Sequence, residues 1–587
     1  MNTNRKDFII DRIPMQFSEG PFWGNGVIGT VMYVKDNELI FSVDHVNIWE
    51  LREELPDQPK ADFQTILNHQ QEFLHGDRNY VEDTDIFHRG HGRTKLPGLG
   101  VSLPLRSTVK SFSSSLNLKE AYADIELTLA DGSEVPLIVY VDSNVNILFI
   151  DVKGGHASDA KMRALGWDYE SPRLSVLKNW NYPPCKEKHD TDTFAMLQEY
   201  SEDGIAVLAA RQEKVGDTLR VAVSMNAGKV QDEESMLTQG LILAKNYMED
   251  SKKYFYAHKA DWKNYYAGFD VHVPNERLQE AFDTEMYKLY CNERSTSVPV
   301  TLQGVWNSNE RMPAWYGDLH NDLNVEACYW AAFRTGNANL ARPYVEYYTA
   351  AARRLEERAY KLFGVEDAIH IPIMMAPNGY GAASEWCFWN SILGPELFVA
   401  TDFCWFYEYT QDRDTLKTKI LPFLKKVANL YIGIAEEDSD GFLHIPFTCS
   451  PEFFAEGTML MQRDATFTIS VLHYLMDKIK KYGELFGEDT GKWTEFGERL
   501  TPVTTDDTGF PLFPGIDLPE SHRHFCHMFP IFPLCTESHN VISNRSLDHV
   551  INLGFGEYAA FSFPYMSVMA SRCGRGNMAE TMLDLYC

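Results

Sequence analysis

The sequence predicts a multi-domain chain of mixed α and β structure, with an N-terminal antiparallel β-sandwich followed by a helical domain. Three observations carry this. The 587 residues exceed what one hydrophobic core ordinarily serves. Up to about residue 245 the apolar residues fall in short, often alternating runs, and beyond it they recur at helical spacing.

The first part holds VIGTVMYV (27–34), ELIFSV (38–43), ADIELTLA (123–130), VPLIVYV (135–141), VNILFIDV (145–152), IAVLAAR (205–211) and LRVAVSMN (219–226). Asp131-Gly132 between two of these runs is a hairpin signal. Short turns with no helices between strands predict a sandwich over 1–245.

Residues 246–275, rich in Lys and Tyr, read as a helical linker, and 276–587 as the helical domain. There, Leu278, Phe282, Met286 and Leu289 share a helix face, with Asn275 placed to cap it. Further helices are predicted near 322–335, 338–363, 393–410, 413–436, 463–485, 490–500, 546–552, 556–573 and 576–586.

Composition excludes several partners. The 54 Lys+Arg against 83 Asp+Glu give a net charge of −29, unsuited to nucleic acid or an anionic membrane surface. The ten cysteines form no CxxC pair, so no disulfide framework is predicted. No window approaches a membrane span, and MNTNRKDFIIDRIPMQ has no signal-like apolar stretch, so a cytoplasmic location is expected.

The chemistry concentrates in three clusters. Residues 302–330, LQGVWNSNERMPAWYGDLHNDLNVEACYW, set Trp306, Trp315 and Trp330 around Asp318, His320, Asn321, Asp322 and Asn324. The others are CSPEF (449–453) and SHRHFCHMFP (521–530). Rings stack on sugar faces, and carboxylates and carboxamides bind hydroxyls, so the combination points to glycoside processing. Trp306 and Trp315 are candidate stacking platforms, whereas Trp330, beside Tyr329 and Phe333, reads as core.

In order along the chain, WGNGVIGTVMYV (23–34), ELIFSVDHVNIWE (38–50), residues 114–154, LQGVWN (302–307), HNDLNVEACYW (320–330), SPE (450–452) and HRHFCHMFPIFP (522–533) resemble glycoside hydrolase family 95. These are inverting α-L-fucosidases with α-L-galactosidase relatives. The resemblance implies an (α/α)6-type barrel after the sandwich, incomplete here at its C-terminus because the motif carrying the family's partner aspartate and the C-terminal β domain find no match. It also implies removal of a terminal α-L-fucosyl or α-L-galactosyl residue from a small oligosaccharide, with no cofactor.

By the same resemblance Glu452 is the general acid, and Phe447, Phe453 and Phe454 beside it are expected to raise its pKa by desolvation. Asn324 falls on one of two water-holding asparagines. Asp322 falls on the other, a departure that leaves it as hydrogen-bonding partner, substitute base or sign of a changed substrate. His320, His522, Arg523, His524 and His527 are candidate sugar contacts. No metal is expected, because His522, His524, His527 and Cys526 lack a second ligand cluster. The loop FHRGHGR (87–93) is expected, from the family's architecture, to close over a chain end.

Two alternatives stay open. A non-catalytic sugar-binding paralogue or fragment would keep the aromatics without a working base. A disaccharide phosphorylase would share the architecture, but its phosphate cradle finds no candidates beyond Arg523 and Arg463.

Overall fold

The structure, a computed structural model, describes residues 7–52, 62–64, 92–155, 161–294, 298–387, 389–453 and 461–587. The chain divides into two compact units. One takes in the described residues within Met1–Glu54, His91–Asp318 and Arg334–Pro343, the other those within Leu55–Gly90, Leu319–Phe333 and Tyr344–Cys587.

The first unit is the antiparallel β part. Its nine-stranded sheet runs, in spatial order, Phe8–Ile10, Val109–Asn117, Tyr122–Leu129, Glu134–Val141, Ile147–Lys153, Thr218–Lys229, Gly204–Val215, Thr193–Tyr200 and Lys186–His189. A five-stranded sheet follows the order Arg163–Leu165, Leu99–Pro104, Glu38–His45, Ile28–Lys35 and Phe22–Gly24. Tyr122–Leu129 buries Ala123, Ile125, Leu127 and Leu129 while alternate residues face outward, the period-two signature of a strand with one covered face. The hairpin at Asp131-Gly132 forms as its residues require: Gly132 has φ +86°, where a side chain would be strained.

The sandwich does not end where the strands do. Glu233–Glu249 is already helical, and Met236 and Leu237 pack on Ala195, Leu197, Ile205 and Val207 of the large sheet. Gly240 allows this approach, since a Cβ there would stand 2.9 Å from that of Ala209. Ser251–Ala267 and Glu276–Glu293 also belong to this unit. Trp262 stacks on Tyr287 and Tyr265 on Tyr290, with centroids 4.9 and 3.9 Å apart. The residues read as linker are thus an aromatic face packed on a neighbouring helix, and the compact units divide near 318 where the sequence reading placed boundaries at 245 and 275. Asn275 caps the third helix, its side chain accepting from the amides of Arg277 and Leu278.

One charge pair lies inside this unit. Lys95 Nζ is 2.6 Å from Asp44 Oδ1, with both side chains about 1% exposed. Burial pushes the Asp44 carboxyl up to about 6 against the pull of Lys95.

The second unit is helical: Asn324–Arg334, Arg342–Phe363, Pro395–Thr410, Leu421–Ile434, Thr466–Glu484, Gly491–Arg499, Val541–Asn552, Ser562–Arg572 and Gly576–Tyr586, with short two-stranded pieces between them. Pro395–Thr410 is buried from Pro395 through Tyr407, as expected for a helix apolar nearly all round. The fold is therefore an antiparallel β-sandwich followed by a helical domain. Among the described residues no helix is long and apolar enough to cross a membrane.

Candidate functional site

Three segments of the helical unit build the site. The first runs from strand to helix. Leu319–His320 pairs with Met374–Met375, and Asn321 pins the next turn: its amide donates to Ile373 O at 2.8 Å, its Nδ2 donates to Pro372 O at 2.9 Å, and its Oδ1 accepts from the Tyr348 hydroxyl. Leu323 takes φ +131°, a conformation side chains rarely adopt. Its amide donates to the Glu326 carboxylate at 3.1 Å, which holds the turn. Asn324 then begins the helix, half-buried. The sharp turn sends Asp322 inward, where it is fully buried.

The second segment is the turn after Thr448–Cys449, which carries Glu452; the Phe453 amide closes it by donating to Ser450 O at 2.6 Å. The third is the stretch 521–528. Its Arg523 carbonyl accepts from the Ser562 hydroxyl at 2.8 Å, and the His524 amide donates to His522 Nδ1 at 3.1 Å.

These segments bring His320, Asp322, Glu452, Arg523 and His524 together. His320 Nε2 lies 3.4 Å from Glu452 Oε1 and 3.5 Å from Asp322 Oδ1. His524 Nε2 lies 3.3 Å from Glu452 Oε2, and the Arg523 guanidinium bonds that same oxygen. One oxygen from each carboxyl and a His320 nitrogen all lie within 4.8 Å of one another.

The two carboxyls sit in opposite environments. Burial pushes Glu452 up, but hydrogen bonds from His320 and His524 and the charges of His524 and Arg523 outweigh it. They hold the carboxyl far below the usual carboxylate range. Neither oxygen of Asp322 accepts a hydrogen bond from a donor among the described residues. Burial drives Asp322 well up, with the Glu452 charge adding to it against His320. The expectation that flanking rings raise the Glu452 pKa is therefore corrected: their desolvation is outweighed by three cationic or donor groups. Phe453 touches His522 (centroids 5.3 Å apart), Phe447 packs on Phe63, and Phe454 lies outside the described residues.

The other predicted residues divide. His522 is half-buried, its imidazole pushed down to about 4, chiefly by burial. His527 is 2% exposed and pushed down to about 3, which suits bracing the segment and not contact with a sugar hydroxyl. Trp306 and Trp315 belong to the sandwich unit. Trp306 donates from Nε1 to Trp23 O at 2.8 Å and meets Phe22 edge-on, whereas Trp315 is 64% exposed with φ +50°. Trp330 packs against Phe532 and Tyr565 and donates to Asp402. Apart from Gly92 and Arg93, the loop 87–93 lies outside the described residues.

Sequence reasoning passed over Glu326 and Asp402. Both are fully buried carboxyls raised chiefly by burial, Glu326 to about 8 and Asp402 well above its ordinary range. An acid inside the apolar run VATDFCWF was the available signal for Asp402.

His320, Asp322 and Glu452 are close enough to share a cation. However, Glu452 is already taken by a guanidinium and an imidazole, and positive groups on a carboxylate compete with an ion for it. The arrangement suits proton chemistry: one carboxyl poised as an anion beside one poised as an acid.

Residues 255–587, more than half of the chain, match the sequence pattern of the "Glycosyl hydrolase family 95 catalytic domain". Among curated proteins, "Probable alpha-fucosidase A" of Aspergillus niger is 25% identical over 281 residues, 43% of this chain and 33% of that protein. "Alpha-L-fucosidase 2" of Arabidopsis thaliana is 24% identical over 266 residues, 43% of this chain and 31% of that one. The match thus spans about a third of the length of these relatives. Among solved structures, "Putative kojibiose phosphorylase from human microbiome" superposes with a TM-score of 0.68 over 96% of this chain and 81% of that chain. At 10% identity this shows likeness of fold alone.

Proposed function

This chain belongs to glycosyl hydrolase family 95, and from that premise we propose that it hydrolyses a terminal α-L-fucosyl or α-L-galactosyl residue from an oligosaccharide with inversion. The observation that carries the reading is Glu452: a carboxyl on a tight turn, reached by His320, His524 and Arg523 and set beside a buried second carboxyl.

In this reading Glu452 protonates the leaving oxygen, and Asn324 holds the water that attacks the anomeric carbon. Arg523, the most exposed of the cluster at 43%, and His320 bind sugar hydroxyls. Paired carboxyls in inverting enzymes typically stand ~6.5–9.5 Å apart, leaving room for sugar and water between them. Asp322 is closer to Glu452 than that, so it is assigned to the acid and not to the water. No cofactor enters this chemistry. The names of the two curated relatives favour the L-fucosyl substrate.

Phosphorolysis finds less support. Arg463 is engaged by Asp438 at 2.8 Å and by Asp464 at 3.5 Å, and Arg523 is assigned in this reading to Glu452 and the sugar, so neither arginine is given to phosphate.

The test is turnover of 2′-fucosyllactose and a matching L-galactoside, with the released anomer followed by NMR. Immediate appearance of the inverted anomer, lost in Glu452→Gln, supports the reading. Retained sugar binding with no release by folded protein would instead support a binding-only paralogue.

A further inference from the structure

We propose that Asp322 stores the proton that Glu452 delivers to the leaving group, and that Arg523 controls when it is handed over. This deepens the hydrolase reading and rests on it.

A general acid needs a proton at the moment of bond cleavage, yet Glu452 is built to lack one at rest. Two imidazoles and a guanidinium address its oxygens, which is the coordination of a carboxylate. Asp322 is built the other way. It is fully buried, no donor among the described residues hydrogen-bonds either oxygen, and its one charged-type neighbour besides carboxyls, His320 Nε2, stands 3.5 Å away. A carboxyl in such a place is neutral, because burying an unpaired charge costs far more than keeping the proton. Two carboxyls this close hold one proton between them, and their surroundings decide which has it.

Burial acts on Asp322 most, His320 opposes it, and the charges of Glu452 and Glu326 add to it. Glu326 follows it in the chain, and Glu452 and Cys449 face it from the turn after Thr448–Cys449. Cys526 comes from 521–528, whose Arg523 and His524 address Glu452, and His320 comes from the preceding strand. Of these, His320 alone favours the Asp322 anion by direct contact. Arg523 is the only exposed member of the group, so a sugar hydroxyl entering the site can draw it off Glu452. Glu452 then gains basicity relative to Asp322, and the proton passes from the Asp322 carboxyl to a Glu452 oxygen. As the glycosidic C–O bond breaks, Glu452 passes it to the leaving oxygen. Water adds to the anomeric carbon and releases a proton to solvent. Asp322, left as carboxylate, regains one from solvent, restoring the resting state.

Asp322→Asn tests this with two readouts. The first needs no turnover: the infrared difference spectrum of wild type minus variant at pH 7. A protonated-carboxyl C=O band is expected, and ionised-carboxylate bands in its place would overturn the proposal. The second compares 2′-fucosyllactose with α-L-fucosyl fluoride, whose leaving group needs no proton. The variant should lose about 100-fold in kcat on the first and less than about 3-fold on the second. Adding Glu452→Gln should then cost nothing beyond Glu452→Gln alone, since both act on one proton. Equal losses on both substrates would overturn the proposal while leaving the hydrolase reading standing. A wild type that releases sugar from neither would overturn both.

Discussion

His320 Nε2 lies 3.4 Å from Oε1 of Glu452, and 132 residues of chain separate the two. The contact joins the HNDLN stretch to the SPE turn, so two motifs that look independent in sequence meet in one cluster. Glu452→Gln keeps an oxygen for His320, His524 and Arg523 but removes the transferable proton. It should reduce sugar release by about 100-fold or more while leaving sugar affinity within a few fold. Steady-state kinetics beside isothermal titration with the free sugar checks this.

Arg523, after His320 and His524, helps hold Glu452 as an anion. In Arg523→Met the Glu452 carboxyl loses a cation, so its hold on a proton strengthens and the pair titrates at higher pH. Activity that needs the singly protonated pair then persists further upward: the basic limb of kcat/KM, which reports the free enzyme, should move to higher pH. The same limb of kcat should move less, because substrate has already displaced Arg523 in the bound state. An unmoved kcat/KM limb would separate Arg523 from the titration.

Glu326 burdens stability above acidic pH. Its folded-state value of about 8 exceeds the ordinary value of 4.5, and the group is fully buried. Between those limits the folded state holds a proton that the unfolded state has released. Stability on this account is therefore highest below about pH 4.5 and is lost progressively as pH rises to about 8. Glu326→Gln keeps an acceptor for the Leu323 amide and removes the titration. The variant should match wild type near pH 4.5 and exceed it by on the order of 5 kcal/mol above pH 8. Urea titrations across that range read the difference directly.

What was legible in the sequence follows from what is local. Alternation located the strand at 123–130 because one covered sheet face imposes it residue by residue, whereas 27–34 and 38–43 showed as short apolar runs, being buried on both faces. Helical spacing placed the helices of the second unit within a few residues. His320, Asp322, Glu452, Arg523 and His524 stand out as polar clusters beside aromatic rings within stretches that resemble the family's motifs. The charge state of Glu452 was not legible, since it depends on Arg523 and His524, 71 and 72 positions onward, folding back onto one oxygen. Glu233–Glu249 was passed over because LTQGLILA reads equally as strand, and only its packing on the sheet decides for helix. The burial of His527 was not legible for a related reason: the sequence shows three histidines together but not that one of them faces inward.

The sandwich unit offers its own test in Lys95 and Asp44, 2.6 Å apart and both about 1% exposed. Asp44 Oδ2 has no hydrogen-bond partner among the described residues, so Lys95 provides the main compensation for this charge. Lys95→Met leaves a carboxylate buried without its cation and should cost about 3–5 kcal/mol at pH 8. The cost has a definite pH sign. With Lys95 in place Asp44 already titrates at about 6, above its ordinary 3.8. Without the lysine it must titrate higher still, because burial, the largest influence, is then opposed only by the weaker backbone hydrogen bonds from His45 and Asn307. Asp44 in the variant therefore stays neutral further up the pH scale, and the difference from wild type should shrink as pH falls toward 5. Adding Asp44→Asn removes the stranded charge and should recover most of the loss at pH 8, giving a double-mutant coupling of the same order as the single loss. Denaturant unfolding of the four proteins at pH 5 and pH 8 decides it. A loss in Lys95→Met that is equal at both pH values, and not recovered by Asp44→Asn, would mean that lost packing of the lysine stem, and not the buried charge, sets the stability.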